Sequence, residues 1–125
     1  MKNVYILFLM IFTLLSCRPK ELPTVMEIND ERVTLKLSHQ SLKSELEQYA
    51  SKIAAMDFVM DFSNSEFFED GKLRRLSLKV QCPDGSIGST TADGVTLQFN
   101  YYGFEYYFTN HPVKFSIGVM DQKQE

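Results

Sequence analysis

The cysteine and histidine side chains, which often act as nucleophiles, bases or metal ligands, number four in this sequence: Cys17, Cys82, His39 and His111. A catalytic cysteine needs a neighbouring base, and neither histidine stands in a recognisable arrangement with a cysteine. Zinc ligands are usually spaced a few residues apart in pairs, whereas the two histidines are 72 positions apart. The sequence therefore predicts no metal and no cofactor, and His111 is kept as a candidate base.

Cys17 has an unusual position, directly after an apolar segment near the amino terminus. Lys2 precedes an apolar run from Val4 to Leu15 that is interrupted only by Thr13, and polar residues follow Cys17 directly. A basic start, an apolar core of about 7 to 15 residues and a small residue before the cut are typical of a secretory signal. The run is shorter than the roughly 20 residues that a membrane span requires. Residues 1–16 are therefore predicted to be a cleaved export signal.

The residues Leu14-Leu15-Ser16-Cys17 resemble the lipobox of bacterial lipoproteins. The resemblance implies that Cys17 becomes the new amino terminus and carries lipid, which would attach the protein to an extracytoplasmic membrane surface of the cell envelope. Residues 17–23 would then be the lipidated cysteine and a short, stiff linker, because two prolines favour extended chain. Two alternatives stay open: an unmodified cysteine beside a cleavage site, and the tail of an uncleaved anchor.

Composition describes the rest of the chain as one small acidic domain. The whole sequence has a net charge of −3, which becomes −4 when Lys2 leaves with the signal. Residues 24–121 are enough for a single core, and residues 122–125 are predicted to be a tail. Arg74-Arg75 is the largest basic cluster, so contacts with phosphate backbones would be few. Nucleic acid is therefore excluded as a partner, and the two arginines are predicted to be solvated.

The elements predicted for this domain begin with a hairpin and a helix. Residues 25–28 and 32–37 flank a turn at Asn29-Asp30-Glu31. Apolar residues then recur at helical spacing, which predicts an amphipathic helix that begins near Ser41, with Ser38 or Ser41 as its cap. The helix face consists of Leu42, Leu46, Tyr49, Ile53 and Met56.

Three Asp-Gly pairs divide the remaining chain into strands, because Asp-Gly between alternating segments is a strong hairpin signal. The pairs predict strands at 58–68, 73–82, 86–91 and 95–101, and a last strand carries Val113, Phe115, Ile117 and Val119 on one face. Neither later Asp-Gly pair has the ligand pattern of a calcium-binding EF-hand. The predicted fold is α+β, with one amphipathic helix packed on an antiparallel β-meander.

Alternation of apolar residues places Cys82 on the buried face of its strand. A buried, unreactive cysteine is therefore predicted. A reactive thiol and half of an intermolecular disulfide are the alternatives for a lone cysteine in an exported protein.

The segment from Phe99 to Phe108 holds seven aromatic residues in ten positions. The inward face changes from odd to even positions near Gly103, which predicts a turn or a bulge there. One interpretation is aromatic packing inside a small sheet. The other is a contact surface that includes Tyr102, Tyr106 and Tyr107, because tyrosine combines a large apolar area with a polar tip.

Residues 42–94 resemble the extracytoplasmic repeats of BlaR-type antirepressor membrane peptidases. The resemblance rests on the order of the amphipathic helix, Phe58-Val59-Met60-Asp61-Phe62-Ser63, Asp70-Gly71-Lys72-Leu73, Leu76-Ser77-Leu78-Lys79-Val80 and Asp84-Gly85-Ser86. It implies a small sensing or protein-contact module. It transfers no catalytic residue, because the His-Glu-x-x-His motif of those peptidases is absent from this sequence.

These features together predict a lipid-anchored, exported domain that acts as a non-catalytic binding or protein-interaction module. The expected partners are the membrane, through the lipid, and an envelope protein. Two alternatives remain at this point: a small hydrolase-like or ligand-binding lipoprotein that uses His111, and a structural component of an envelope assembly.

Overall fold

The structure is a computed structural model that describes residues 21–120. The predicted signal (1–16), Cys17 and the predicted tail (122–125) lie outside the described residues. Within them the protein is α+β, with mostly antiparallel sheets and one main helix, as predicted. The elements are β1 (Val25–Ile28), β2 (Arg32–Leu37), α1 (Lys43–Ala54), β3 (Val59–Asp61), β4 (Glu66–Phe67), β5 (Leu73–Gln81), β6 (Ile87–Ala92), α2 (Gly94–Leu97), β7 (Tyr101–Tyr107) and β8 (Phe115–Met120).

The strands form two antiparallel sheets. The first has the order β1-β2-β7-β8, and the second has β5 paired with β3, β4 and β6. The prediction of a simple meander is therefore wrong. Strand β7, from the second half of the chain, pairs with β2 along the whole length of β2. The sheets also touch where β6 meets β8, since a Cβ placed on Gly88 would lie 2.6 Å from Ile117 Cγ2.

The core lies between the two sheets and α1. Its largest fully buried side chains come from all three layers, which explains why the alternating and helical apolar patterns coexist in one sequence. They include three residues of the predicted helix face, together with residues from the predicted faces of β2 and β5: Leu46, Tyr49, Ile53, Val33, Leu35, Leu37, Leu76, Leu78, Phe58 and Phe104. Leu42 and Met56, the other two residues of the predicted helix face, are partly buried.

The start of α1 differs from the prediction, because neither serine caps it. Leu42 occupies the cap position, and its N–H donates to Glu45 Oε1 at 2.9 Å. Ser41 Oγ instead accepts the N–H of Ser38 at 2.9 Å, so its hydroxyl fixes the loop before the helix. At the other end the chain leaves the helix through Asp57, which has a φ of 70° and turns the backbone toward β3.

Tyr49 joins α1 to the first sheet through its hydroxyl. Tyr49 Oη lies 2.8 Å from Thr34 O and 3.0 Å from Glu27 O, and burial raises the pKa of Tyr49.

Replacing Tyr49 with phenylalanine is expected to reduce the free energy of unfolding by about 1 kcal/mol, because a buried hydrogen bond is lost while the ring stays. Urea denaturation measures this change. A Tyr107→Phe control, at a partly exposed site, is expected to change stability by less than about 0.5 kcal/mol.

The segment after Asp93 is a helix, not the predicted strand 95–101. Asp93 Oδ1 accepts the N–H of Thr96 at 2.8 Å, and α2 then buries Leu97 while Val95 is exposed. The predicted turn or bulge at Gly103 is also wrong, because the pairing of β7 with β2 and β8 continues through Gly103. The change of inward face instead marks the passage from helix to strand.

Two other predicted strands are shorter than expected. Segment 58–68 consists of β3 and β4, separated by a turn closed by the N–H of Ser65 and the carbonyl of Phe62 at 2.9 Å. Val113 is exposed and precedes β8, so it does not share the face of Phe115 and Ile117 as predicted. Val119 lies opposite Tyr102 but is exposed, because this end of the edge strand extends past the core.

β5 has nine residues and is the longest strand of the described chain, and its two ends define what we call the proximal and the distal end of the domain. The N–H of Leu73, at its start, donates to Ser41 O at 2.8 Å, whereas Gln81 pairs with Val59. Eight strand steps separate these positions by about 26 Å. The proximal end consists of Leu22, Ser38–Ser41, Leu73, Arg74 and α2. The distal end consists of the turns 29–31 and 83–85, Val59, Tyr107 and the loop 108–114.

Candidate functional site

Tyr106, one of the three predicted contact tyrosines, belongs to the core and is 3% exposed. Its ring meets Phe58 at 5.3 Å and Phe108 at 5.4 Å between centroids, both in edge-to-face geometry. Such pairs stabilise a core beyond their buried area. A partner could not reach Tyr106 without opening the sheet, so the prediction of a contact role for this residue is wrong.

Tyr107 points to the opposite face of β7 and stays accessible. The ring of His111 stacks on it with centroids 3.7 Å apart and planes inclined by 1°. The Tyr107 hydroxyl accepts a hydrogen bond from Arg32 Nη1 at 3.5 Å, because Arg32 is directly opposite Tyr107 in the β2–β7 ladder. We call this surface the Tyr107 patch, formed by Tyr107, His111, Arg32, Glu27 and Glu105.

Arg32 organises the charges of the Tyr107 patch. Its Nε lies 3.1 Å from Glu27 Oε1, and its Nη1 lies 3.7 Å from Glu105 Oε2. Thr34 Oγ1 donates to the same Glu105 oxygen at 3.0 Å. The pKa of Arg32 is raised by its hydrogen bond to Tyr107, by its hydrogen bond to Glu27 and by the negative charge of Glu27. The patch is therefore a fixed arrangement of an aromatic pair, a cation and two carboxylates.

His111 does not gain the surroundings of a general base from this arrangement. Its Nδ1 lies 2.9 Å from Val113 O and 3.3 Å from Val113 N, within its own exposed loop. One face of the ring is covered by Tyr107. The geometry suits a flat surface for contact better than proton transfer.

Tyr102 lies apart from Tyr107, on the other face of β7 and at the other end of the strand. It borders an open pocket of about 410 Å³, whose other lining residues are Arg75, Thr91, Ala92, Asp93 and Thr96. The Asp93 carboxylate is engaged at the start of α2, where the bond from Thr96 N–H lowers the pKa of Asp93. Arg75 Nη1 lies 3.8 Å from Glu66 Oε2 at the surface, which agrees with the predicted solvated arginines.

His39 and Cys82 both have structural surroundings. His39 Nδ1 lies 3.2 Å from Leu97 O, which ties the loop before α1 to α2. Cys82 is buried and unbridged, as predicted. Burial and then the charge of Asp84 raise the pKa of Cys82 to about 12.

Cys82 is therefore expected to resist alkylation in the folded protein. At about pH 8 a thiol with this pKa contains very little thiolate, which is the reactive form. Iodoacetamide should modify Cys82 only after urea unfolds the protein, as measured by peptide mass spectrometry. A Val59→Cys variant supplies an exposed thiol, 59% exposed as valine, that should react at once. Rapid modification of Cys82 without urea would contradict its burial.

Residues 21–120 contain no cluster of three or more histidine, cysteine, aspartate or glutamate side chains placed to hold a metal ion. Among the same residues, no helix is long and apolar enough to cross a membrane. No family model, no curated protein and no solved structure matches the sequence.

The arrangement of Arg32 with Tyr107 is the part of the candidate site that sequence analysis missed. The two residues are 75 positions apart, and they meet only because β7 pairs with β2. Both lie on polar faces of alternating segments. That pattern does not indicate that they share a ladder position.

Proposed function

We propose that this protein is a lipid-anchored, exported domain of the bacterial cell envelope that binds a partner protein through the Tyr107 patch and catalyses no reaction. Residues 1–16 act as a cleaved signal in this proposal, and Cys17 carries the lipid. The support for the anchor is the lipobox-like segment Leu14-Leu15-Ser16-Cys17. Two or more acyl chains hold a protein durably on a membrane, because each buried methylene contributes about 0.8 kcal/mol.

The Tyr107 patch is the observation that carries the binding role. Tyrosine and arginine are among the residues that most often dominate binding energy at protein interfaces. Here the ring of Tyr107 is stacked on His111 and its hydroxyl is bonded to Arg32, so the side chains are ordered before a partner arrives. Less side-chain entropy is then lost on association. Acidic groups of a partner would pair with Arg32, and its basic groups would pair with Glu27 and Glu105.

The position of the patch also supports this role. Leu22, the first buried residue after the proposed anchor, is at the proximal end, whereas Tyr107 pairs with Arg32 at the distal end. Strand β2 extends about 17 Å from Leu37, beside the proximal end, to Arg32 in the Tyr107 patch. A tether at the proximal end leaves the Tyr107 patch accessible to other envelope proteins. The resemblance to extracytoplasmic sensing repeats agrees with a contact function.

A ligand-binding lipoprotein is the second candidate, and the pocket beside Tyr102 favours it. That pocket is open and contains Arg75 and two threonines, which suit a small polar or anionic molecule. Its volume is within the range of small-molecule sites. It ranks second because its two charged side chains are already engaged, Asp93 by Thr96 and Arg75 by Glu66.

Photocrosslinking in the native envelope tests the proposed function. Benzoylphenylalanine at Asn110, an exposed position beside His111 that leaves Tyr107 in place, is expected to capture one dominant protein, identified by mass spectrometry. The matched control carries the same group at Val59, which is exposed at the distal end but outside the Tyr107 patch. Adducts of equal yield at both positions would contradict a specific site. An adduct at position 110 that survives Arg32→Ala unchanged would also count against the patch.

A further inference from the structure

Leu22 and Pro23, which belong to the predicted linker of residues 17–23, are already bonded to the domain. Leu22 is 4% exposed, its N–H donates to Gln40 Oε1, and its carbonyl accepts the hydroxyl of Ser38. Pro23 O accepts the hydroxyl of Tyr101 at 2.6 Å. The domain therefore begins at Leu22, and a tether from Cys17 contains four intervening residues.

Such a tether determines which end of the domain can meet the membrane. Five residue steps from Cys17 to Leu22 span at most about 18 Å. Along β5, Val59 and Gln81 at the distal end lie about 26 Å from Leu73 at the proximal end. If Cys17 is lipidated, the proximal end stays within about 18 Å of the bilayer, which is too short a distance for the domain to stand on its distal end at Val59.

The surface at the proximal end includes apolar side chains on α2 and the turn that follows it. His39 N–H donates to Leu97 O at 3.1 Å, which holds α2 against the loop that contacts Leu22. Val95 is 68% exposed and Phe99 is 42% exposed. They lie four positions apart around a helical turn, so both project from the side opposite buried Leu97.

A third apolar side chain lies at the same end. Phe68 is exposed beside the Asp70-Gly71 turn, where its N–H donates to Lys72 O at 2.8 Å. Lys72 in turn pairs with Leu42 next to the start of α1. Both phenylalanines found exposed in the described chain, Phe68 and Phe99, are therefore at the proximal end.

We propose that the proximal end rests on the bilayer surface, with Val95 and Phe99 inserted among the lipid headgroups. This inference depends on the proposed lipidation of Cys17. Phenylalanine and aliphatic side chains insert at the headgroup boundary, and a second contact strengthens binding that a lipid begins. The domain would then stand with a defined orientation, with the Tyr107 patch directed away from the membrane.

Fluorescence quenching in vesicles tests the orientation. The full chain with Val95→Cys is produced in a lipoprotein-processing bacterium, labelled with the dye NBD, and reconstituted into phosphatidylethanolamine–phosphatidylglycerol vesicles that carry spin-labelled headgroups. Val59→Cys, a similarly exposed valine at the distal end, is the matched control. Unsubstituted protein should take no label, because Cys82 is buried and a lipidated Cys17 has no thiol. Headgroup quenching is expected to be several-fold greater at position 95 than at position 59.

The outcomes separate the two proposals. Equal, weak quenching at both positions, with unsubstituted protein unlabelled and retained on the vesicles, would overturn the docked orientation while leaving the anchor intact. Equal, strong quenching at both would also overturn a single orientation. Labelling of the unsubstituted protein at Cys17 would overturn the lipid anchor and the inference with it. In a double variant with Val95→Cys and Phe99→Asp, headgroup quenching at position 95 that falls to the level at position 59 would support insertion of the α2 surface.

Discussion

A Gly103→Ala substitution is expected to destabilise the fold severely. A Cβ on Gly103 would lie 1.8 Å from Leu35 O and 2.8 Å from Leu35 C. These atoms are backbone in β2, which is paired on both sides, so no side-chain movement relieves the overlap. The free energy of unfolding should fall by at least about 3 kcal/mol, a large part of the stability of a small domain.

The matched control for this prediction is Gly71→Ala. Gly71 has a φ of +90° in the Asp70-Gly71 turn, but no atom lies within 4 Å of a Cβ placed there. Alanine at position 71 should therefore lower the free energy of unfolding by about 1 to 2 kcal/mol, which is the strain of the left-handed conformation alone. Urea denaturation of both variants gives the comparison. Equal losses at the two positions would contradict the close approach of strand β7 to β2 at Gly103.

Tyr107→Ala is expected to abolish most partner binding while the domain stays folded. The substitution removes the stacking surface of His111 and the acceptor of Arg32, both at the surface. Loss of a central interface tyrosine commonly costs about 2 kcal/mol or more, which is roughly a thirtyfold loss of affinity. The measurement is the dissociation constant for the captured partner, together with the thermal midpoint of the variant.

Tyr106→Ala provides the matched comparison one position away. Its ring is packed against Phe58 and Phe108, so its removal should cost about 3 to 5 kcal/mol of stability. Tyr107→Phe is intermediate, because it keeps the stacked ring and loses only the contact with Arg32. Unchanged affinity in Tyr107→Ala, measured with folded protein, would contradict the proposed contact role.

Local sequence signals were enough to predict much of this fold. The turn at Asn29-Asp30-Glu31, the apolar face of α1 and the glycine turns at Gly71 and Gly85 all follow from residue types within a few positions of one another. The alternation of apolar and polar residues predicts both the strand before Cys82 and the burial of Cys82. These features are local because turn chemistry and side-chain periodicity act over short distances.

The errors arose where two local signals compete or where distant segments meet. Asp93-Gly94 fits a hairpin, but aspartate is also a preferred residue at the start of a helix, and the structure has the helix cap. The pairing of β7 with β2 brings Arg32 to Tyr107, and no local pattern encodes that match. Leu22 likewise looks like linker in sequence, because its burial depends on Ser38 and Gln40.

The measurement that tests the central claim most directly is the intact mass of the protein purified from its native membrane. A lipid-anchored domain predicts a chain that begins at Cys17 and carries two or three acyl chains, with fragment ions that place the added mass on that residue. A chain that retains residues 1–16, or one that begins at an unmodified Cys17, would contradict the anchor. The orientation inferred for the proximal end would then lose its basis.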